Sequence, residues 1–137
     1  MYTHKYEVMV AKDVDLNSLA DVGDWAPGLV PHIIRAVALV VTNTIGAAGV
    51  LKFDKRPTAG DNTGRGDGDV AVLNLATTHD AGEVVYKDGL NVLIKPGEEV
   101  VAEVTDVTAA ADTGHVIIWV EPAWENPSNN TKMIATT

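Results

Sequence analysis

The chain reads as short apolar runs, many alternating apolar with polar residues, set between clusters of Gly, Pro, Asn and Asp. Successive side chains of a strand point to opposite faces. A period of two therefore marks a strand with one buried face, and a continuous β-branched run marks one covered on both. By that criterion about eight strands are predicted: 5–12, 32–44, 48–56, 69–77, 83–88, 91–95, 98–107 and 114–122. The segment 14–29 departs from the pattern. Leu16, Leu19 and Val22 follow Asp15 at helix-like spacing, with Gly23 as a stop, which predicts a short helical turn or an ordered loop.

Between Glu83 and Val107 three apolar runs are separated by "KDGL" and "KPGEE". Gly89 and Gly97 can take positive φ and Pro96 presets the corner, so an antiparallel meander is predicted. In its last run Val100, Ala102 and Val104 share the face that meets the core, and Glu99, Val101, Glu103 and Thr105 share the other. "IIRAVALVV" is apolar on both faces. Strict alternation puts Ile33, Val37, Leu39 and Val41 on one side and Ile34, Ala36, Ala38 and Val40 on the other. Such a strand needs a covering loop or a neighbouring subunit on its second face. The whole reads as an all-β, two-sheet antiparallel sandwich, jelly-roll-like, over 1–122, followed by an extended C-terminal arm over 123–137.

At 137 residues one core suffices. Hydrophobic residues make up 46% but aromatic ones only 5%, with Phe53 the sole phenylalanine, so thin β-branched packing is expected. The net charge of -9 sets the average surface against phosphate backbones and anionic lipid heads, so no nucleic-acid or membrane partner is expected. The absence of cysteine excludes disulfides, thiolate nucleophiles and Cys-ligated zinc, and fits folding in a reducing cytosol. No basic-then-apolar leader is visible at the start. The longest apolar stretch, 33–41, is broken by Arg35 and falls far short of the ~20 residues of a spanning helix, so a soluble chain is expected.

Catalytic patterns are missing. His4, His32, His79 and His115 lie at no spacing from which two rings reach one metal, and neither Ser18 nor Ser128 stands in a G-x-S-x-G elbow. Glu98 and Glu99 point to opposite faces of their strand and read as a solvated, edge-protecting pair. The glycine-rich 57–69 reads as an exposed, mobile loop. Its Asp61, Asn62, Asp67 and Asp69 are possible calcium ligands, but the acidic spacing of an EF-hand is absent. Arg65, Gly66 and Asp67 spell an adhesion tripeptide short enough to arise by chance, and Asn129 to Thr131 fit a glycosylation acceptor that matters only in a secretory pathway, which the chain is not expected to enter. No enzyme activity, cofactor or metal is expected.

The ending "AWENPSNNTKMIATT" has no period. Trp124, Met133 and Ile134 are candidate anchors whose burial stabilises by roughly 5–8 kcal/mol in all, while ordering each backbone position costs about 1–2 kcal/mol. An arm of this length is therefore held only if it also gains backbone hydrogen bonds, for example as an added strand.

The stretches "VLKFDKRPTAGD", "VVYKDGLNVLIKPGEEVVAEVTD" and "GHVIIWVEPAWENPSNNTKMIATT" resemble the head decoration, or cement, proteins of tailed bacteriophages, over most of the chain from about Gly28. The resemblance implies a β-sandwich subunit, assembled as a homotrimer, that sits on the outer surface of the virion after assembly in the host cytoplasm and clamps neighbouring major capsid proteins. Its contacts with the capsid or between subunits are expected from Trp124, Asn129, Asn130, Met133 and Ile134 of the arm and from Ile33, Val37 and Leu39. The rival is a carbohydrate- or receptor-binding sandwich, with Trp119 or Trp124 stacking on a sugar and the 57–69 loop holding calcium.

Overall fold

The computed structural model describes residues 4–58 and 63–123. They form an all-β fold of nine strands without a helix: β1 (Tyr6–Asp15), β2 (Asp21–Trp25), β3 (His32–Val41), β4 (Gly49–Pro57), β5 (Ala71–Leu75), β6 (Val84–Lys87), β7 (Val92–Ile94), β8 (Glu98–Asp106) and β9 (Thr113–Pro122). One sheet runs β1-β9-β3-β6, with β7 also on β3, and the other runs β2-β8-β4-β5. All pairings are antiparallel. The first strand lies beside the last and the second beside the last but one, while the chain passes repeatedly from sheet to sheet. That is the jelly-roll arrangement of two Greek keys.

Between the sheets lies an aliphatic core built around Phe53, with Leu16, Ile34, Leu39, Leu51, Ile94 and Ile118 also fully buried. Tyr6, Trp25 and His32 close one end. The His32 ring stands edge-on to both aromatic rings. Its Nδ1 donates to the Val30 carbonyl at 2.7 Å, because that oxygen can only accept, which leaves Nε2 to accept from the Tyr6 hydroxyl at 2.7 Å. Burial holds His32 below the usual histidine range and pushes Tyr6 up, so both stay neutral at physiological pH.

Four expectations are narrowed or changed. Of the two alternatives over 14–29 the ordered loop is taken at 16–20, where the Leu16 N–H and carbonyl bond to Asp112 and Thr108, and not the helical turn: Leu19 is exposed and Val22 lies in β2, which pairs with β8. The tertiary strand partner overrides the local spacing. The meander over 83–107 is also absent. Gly89 and Gly97 do take positive φ, but β6 and β7 pair end to end along the same edge of β3, and β8 crosses to lie between β2 and β4. As β8 is an inner strand, Glu98 and Glu99 protect no edge. Third, the described part of the 57–69 loop is tied down. Gly66 and Gly68 N–H donate to Asp54, the Gly66 carbonyl accepts from Lys52 Nζ, and Asp69 accepts from Lys55 N–H.

The fourth change is a β-bulge. Ile34 pairs with Val120 and Ala36 with Trp119, so Arg35 is an extra residue in β3. Alternation slips by one there, which puts Ile34 on the same face as Val37, Leu39 and Val41, all in the core, and Ile33 on the outer face. The expected grouping of Ile33 with Val37 and Leu39 is therefore corrected. A strict period of two cannot foresee an inserted residue.

The outer face of the four-stranded sheet is sealed by charge. Arg56 donates to Asp21 through both terminal nitrogens, at 2.9 and 3.2 Å, and to Asp54 and Glu103 at 2.8 Å each. Arg65 approaches Glu103 at 3.5 Å. Burial alone would lower the Arg56 pKa, but its bonds to Asp21 and Asp54 outweigh this and raise it.

On inner strand β8 Glu99 titrates high, first through burial and then through the charge and hydrogen bond of Asp24. A raised native pKa favours folding fully below the ordinary value of 4.5, and that contribution is lost as pH rises through the native value. Ionised Glu99 thus weakens the fold at neutral pH. Glu99→Gln is expected to raise the urea midpoint modestly at pH 7 and to leave it unchanged near pH 3.5. An equal effect at both pH values would assign the gain to packing instead.

Candidate interaction surface

Residues directly opposite one another in an antiparallel pair share a face. On the outer side of the five-stranded sheet this register sets Met9, Ile117, Ala38 and Tyr86 in one line across β1, β9, β3 and β6. Glu7, Trp119 and Ala36 form the next line, and His115, Val40 and Val84 flank the first on its other side. The middle of this face is apolar across four strands. Met9 is 51% exposed at one end of the first line and Tyr86 63% at the other, with Val84 at 48% beside it, while Ile117 and Ala38 between them are buried.

A groove of about 860 Å³ opens on this face, floored by Ala36, Val84, Tyr86, Leu90 and Trp119, with Lys5 and Asp88 at the rim. The bulge shapes it. The Arg35 carbonyl accepts from Leu90 N–H at 3.0 Å, and its guanidinium donates to Glu121 at 3.0 Å and to Asn91 at 2.9 Å. One inserted residue thus hangs the β6–β7 turn on the sheet and neutralises its own charge beside an apolar floor.

The expected contact residues fall into three groups. Trp124, Asn129, Asn130, Met133 and Ile134 lie outside the described residues. Ile33 is half-buried on the outer face, opposite Glu121 and Leu93. Val37 and Leu39 are fully buried in the core and present nothing outward. Their burial corrects the expected contact role, the Arg35 bulge separates them from Ile33, and Ala36, Ala38 and Val40 share the outer side with Ile33. Sequence reasoning missed Met9, Val84 and Tyr86. Only the pairing of β1 and β6 with their neighbours brings these onto one surface with Trp119.

The residues weighed for chemistry do not converge. His4 is exposed, His32 closes one end of the core, His79 accepts from Ala76 N–H at 3.0 Å, and His115 accepts from Asp13 N–H at 3.0 Å. Ser18 is exposed in the β1–β2 turn, and Ser128, Asp61 and Asn62 lie outside the described residues. Among the described residues no three His, Asp or Glu side chains gather where they could hold a metal ion. No helix among them is long and apolar enough to cross a membrane. No protein-family model matches the chain, and no curated protein matches it significantly.

Proposed function

We propose that this chain is a structural, non-catalytic virion protein that decorates the outside of a tailed-phage capsid as a homotrimer and clamps neighbouring major capsid proteins. The observation that carries the reading is the exposed apolar side chains on this face, Met9 at its β1 end and Val84 and Tyr86 on β6, in a chain of net charge -9. A surface that repels its own kind on average keeps its apolar side chains together where a protein partner would cover them. The acidic exterior suits the outside of a head better than its DNA-facing interior. The resemblance to phage decoration proteins supplies the partner. Weak contacts suffice, because a trimer engaging several sites gains effective concentration without any new contact.

The arm and the outer sheet face supply the contacts, with Trp124, Asn129, Asn130, Met133, Ile134 and Ile33 among them. Removal of 124–137 is expected to abolish co-sedimentation with mature phage heads while the sandwich keeps its circular-dichroism spectrum and melting point. Normal head binding by the truncated chain would overturn the role of the arm. Light scattering is expected to give a mass near three times 14.5 kDa.

The groove favours one second reading. Trp119 and Tyr86 beside Lys5, Asp88 and Asn91 could stack on and hydrogen-bond a sugar, which makes a virion-surface carbohydrate or receptor module the alternative. Glycan-array binding that is lost in Trp119→Ala, with no binding to heads, would favour it.

A further inference from the structure

We propose that Asp88–Gly89, at the rim of the groove, is a self-modification site where the chain closes to a succinimide and reopens as isoaspartate, and that Asp54 holds the second such pair, Asp67–Gly68, back from the same reaction.

The reaction needs a main-chain nitrogen free to attack. The Gly89 nitrogen bonds to the Asp88 γ-carbon and gives up its proton, and the γ-hydroxyl leaves with that proton as water, closing a five-membered ring. Water then adds to either ring carbonyl. Breaking the new N–Cγ bond restores aspartate. Breaking the original peptide bond instead leaves the main chain running through Cβ and Cγ, with the α-carboxylate as the side group. One water leaves and one enters, so no other reactant is consumed and the mass is unchanged. Glycine favours the step because no Cβ shields its nitrogen and its backbone turns freely.

The sequence holds two Asp-Gly pairs, and the fold separates them. Asp88 and Gly89 are both exposed, between the end of β6 and the Leu90 N–H that donates to the Arg35 carbonyl at 3.0 Å. A Cβ added at Gly89 would meet nothing within 4 Å. Neither the Gly89 N–H nor the Asp88 carboxylate has a hydrogen-bond partner among the described residues. The two groups that must meet are unengaged and in open space.

At the other pair the nitrogen is taken. The Gly68 N–H donates at 2.6 Å to the fully buried Asp54 carboxylate, a charge-assisted bond, and the Asp67 N–H donates to the Gly64 carbonyl at 3.3 Å. A Cβ at Gly68 would press on Val72 of β5 at 2.8 Å. Ring closure there has to wait until Gly68 leaves Asp54 and the loop opens.

Isoaspartate at 88 adds one main-chain carbon to the segment that Leu90 pins to Arg35. The pin weakens, and the rim of the groove moves with it.

The full-length chain is kept at pH 7 in buffer and, in parallel, in guanidinium chloride until the denatured sample carries isoaspartate at both pairs. Methyl transfer by an isoaspartate methyltransferase counts the product, and electron-transfer fragmentation of peptides places it. In denaturant the two pairs should react alike, whereas in the folded chain residue 88 should lead residue 67 by at least about tenfold. Asp88→Glu, which would have to close a six-membered ring, should remove the folded-state product and keep the melting point. Isoaspartate at 67 level with that at 88 in the folded chain would overturn the inference. So would a folded chain that stays unmodified at 88 while the denatured one reacts. In the isoaspartyl fraction, separated by anion exchange, the Leu90 N–H should exchange with solvent about tenfold faster than in the parent. Unchanged exchange would refute the weakened pin.

Discussion

Replacing Arg56 by Met is expected to destabilise the fold by about 3 kcal/mol at pH 7, lowering the melting point by on the order of 10 °C. Arg56 is 5% exposed and is the cation on which Asp54, Glu103 and Asp21 converge, Asp54 being fully buried. Without it, two buried carboxylates face each other across β4 and β8, and the cost of breaking such a cluster far exceeds that of losing a surface pair. The figure sits at the low end of the range for buried pairs because Asp54 keeps the N–H groups of Gly66 and Gly68.

The pH dependence separates charge from packing. Acid supplies the protons that discharge carboxylates left without their cation, so the deficit of the variant shrinks toward low pH. The gap between variant and parent should be smaller at pH 4.5 than at pH 7. A gap that is equal at both would mean that Arg56 matters only as a space-filling side chain.

Much of the sandwich was legible because each strand needed only local information. Alternation in 98–107 marks Val100, Ala102 and Val104 as core, and the structure buries all three. What alternation cannot carry is partnership. Glu103 and Val101, on the opposite face of that strand, are buried as well, because the Arg56 cluster gathers over them through contacts from β2, β4 and the Gly-rich loop. β6 and β7 look like members of a hairpin until β3 proves long enough to accept both along one edge. The outer-face groove was illegible for the same reason. Trp119, Tyr86 and Ala36 come from three strands, and they meet only through the pairing of β9, β3 and β6. Arg35 itself carried the available signal: a charged residue interrupting an otherwise apolar run marks a place where the ladder can be broken to turn that charge toward solvent.

Phe53→Ala is expected to cost about 4–5 kcal/mol, the upper part of the range for large-to-small core changes. The register explains why. Phe53 is fully buried, and its lateral neighbours on the same face of the sheet are Ala71 on β5 and Ala102 on β8. Two small side chains make room for one ring, so the alanine variant leaves three alanines in a row and a trough across the sheet. The core around them is of branched aliphatic side chains already held in place by two sheets, and it has little freedom to collapse inward. Phe53→Leu should cost far less, about 1.5 kcal/mol. Combining Phe53→Ala with Ala102→Leu should recover part of the loss, a non-additivity that distant sites would not show. If the double variant is instead less stable than Phe53→Ala alone, the ring's space is not shared with Ala102.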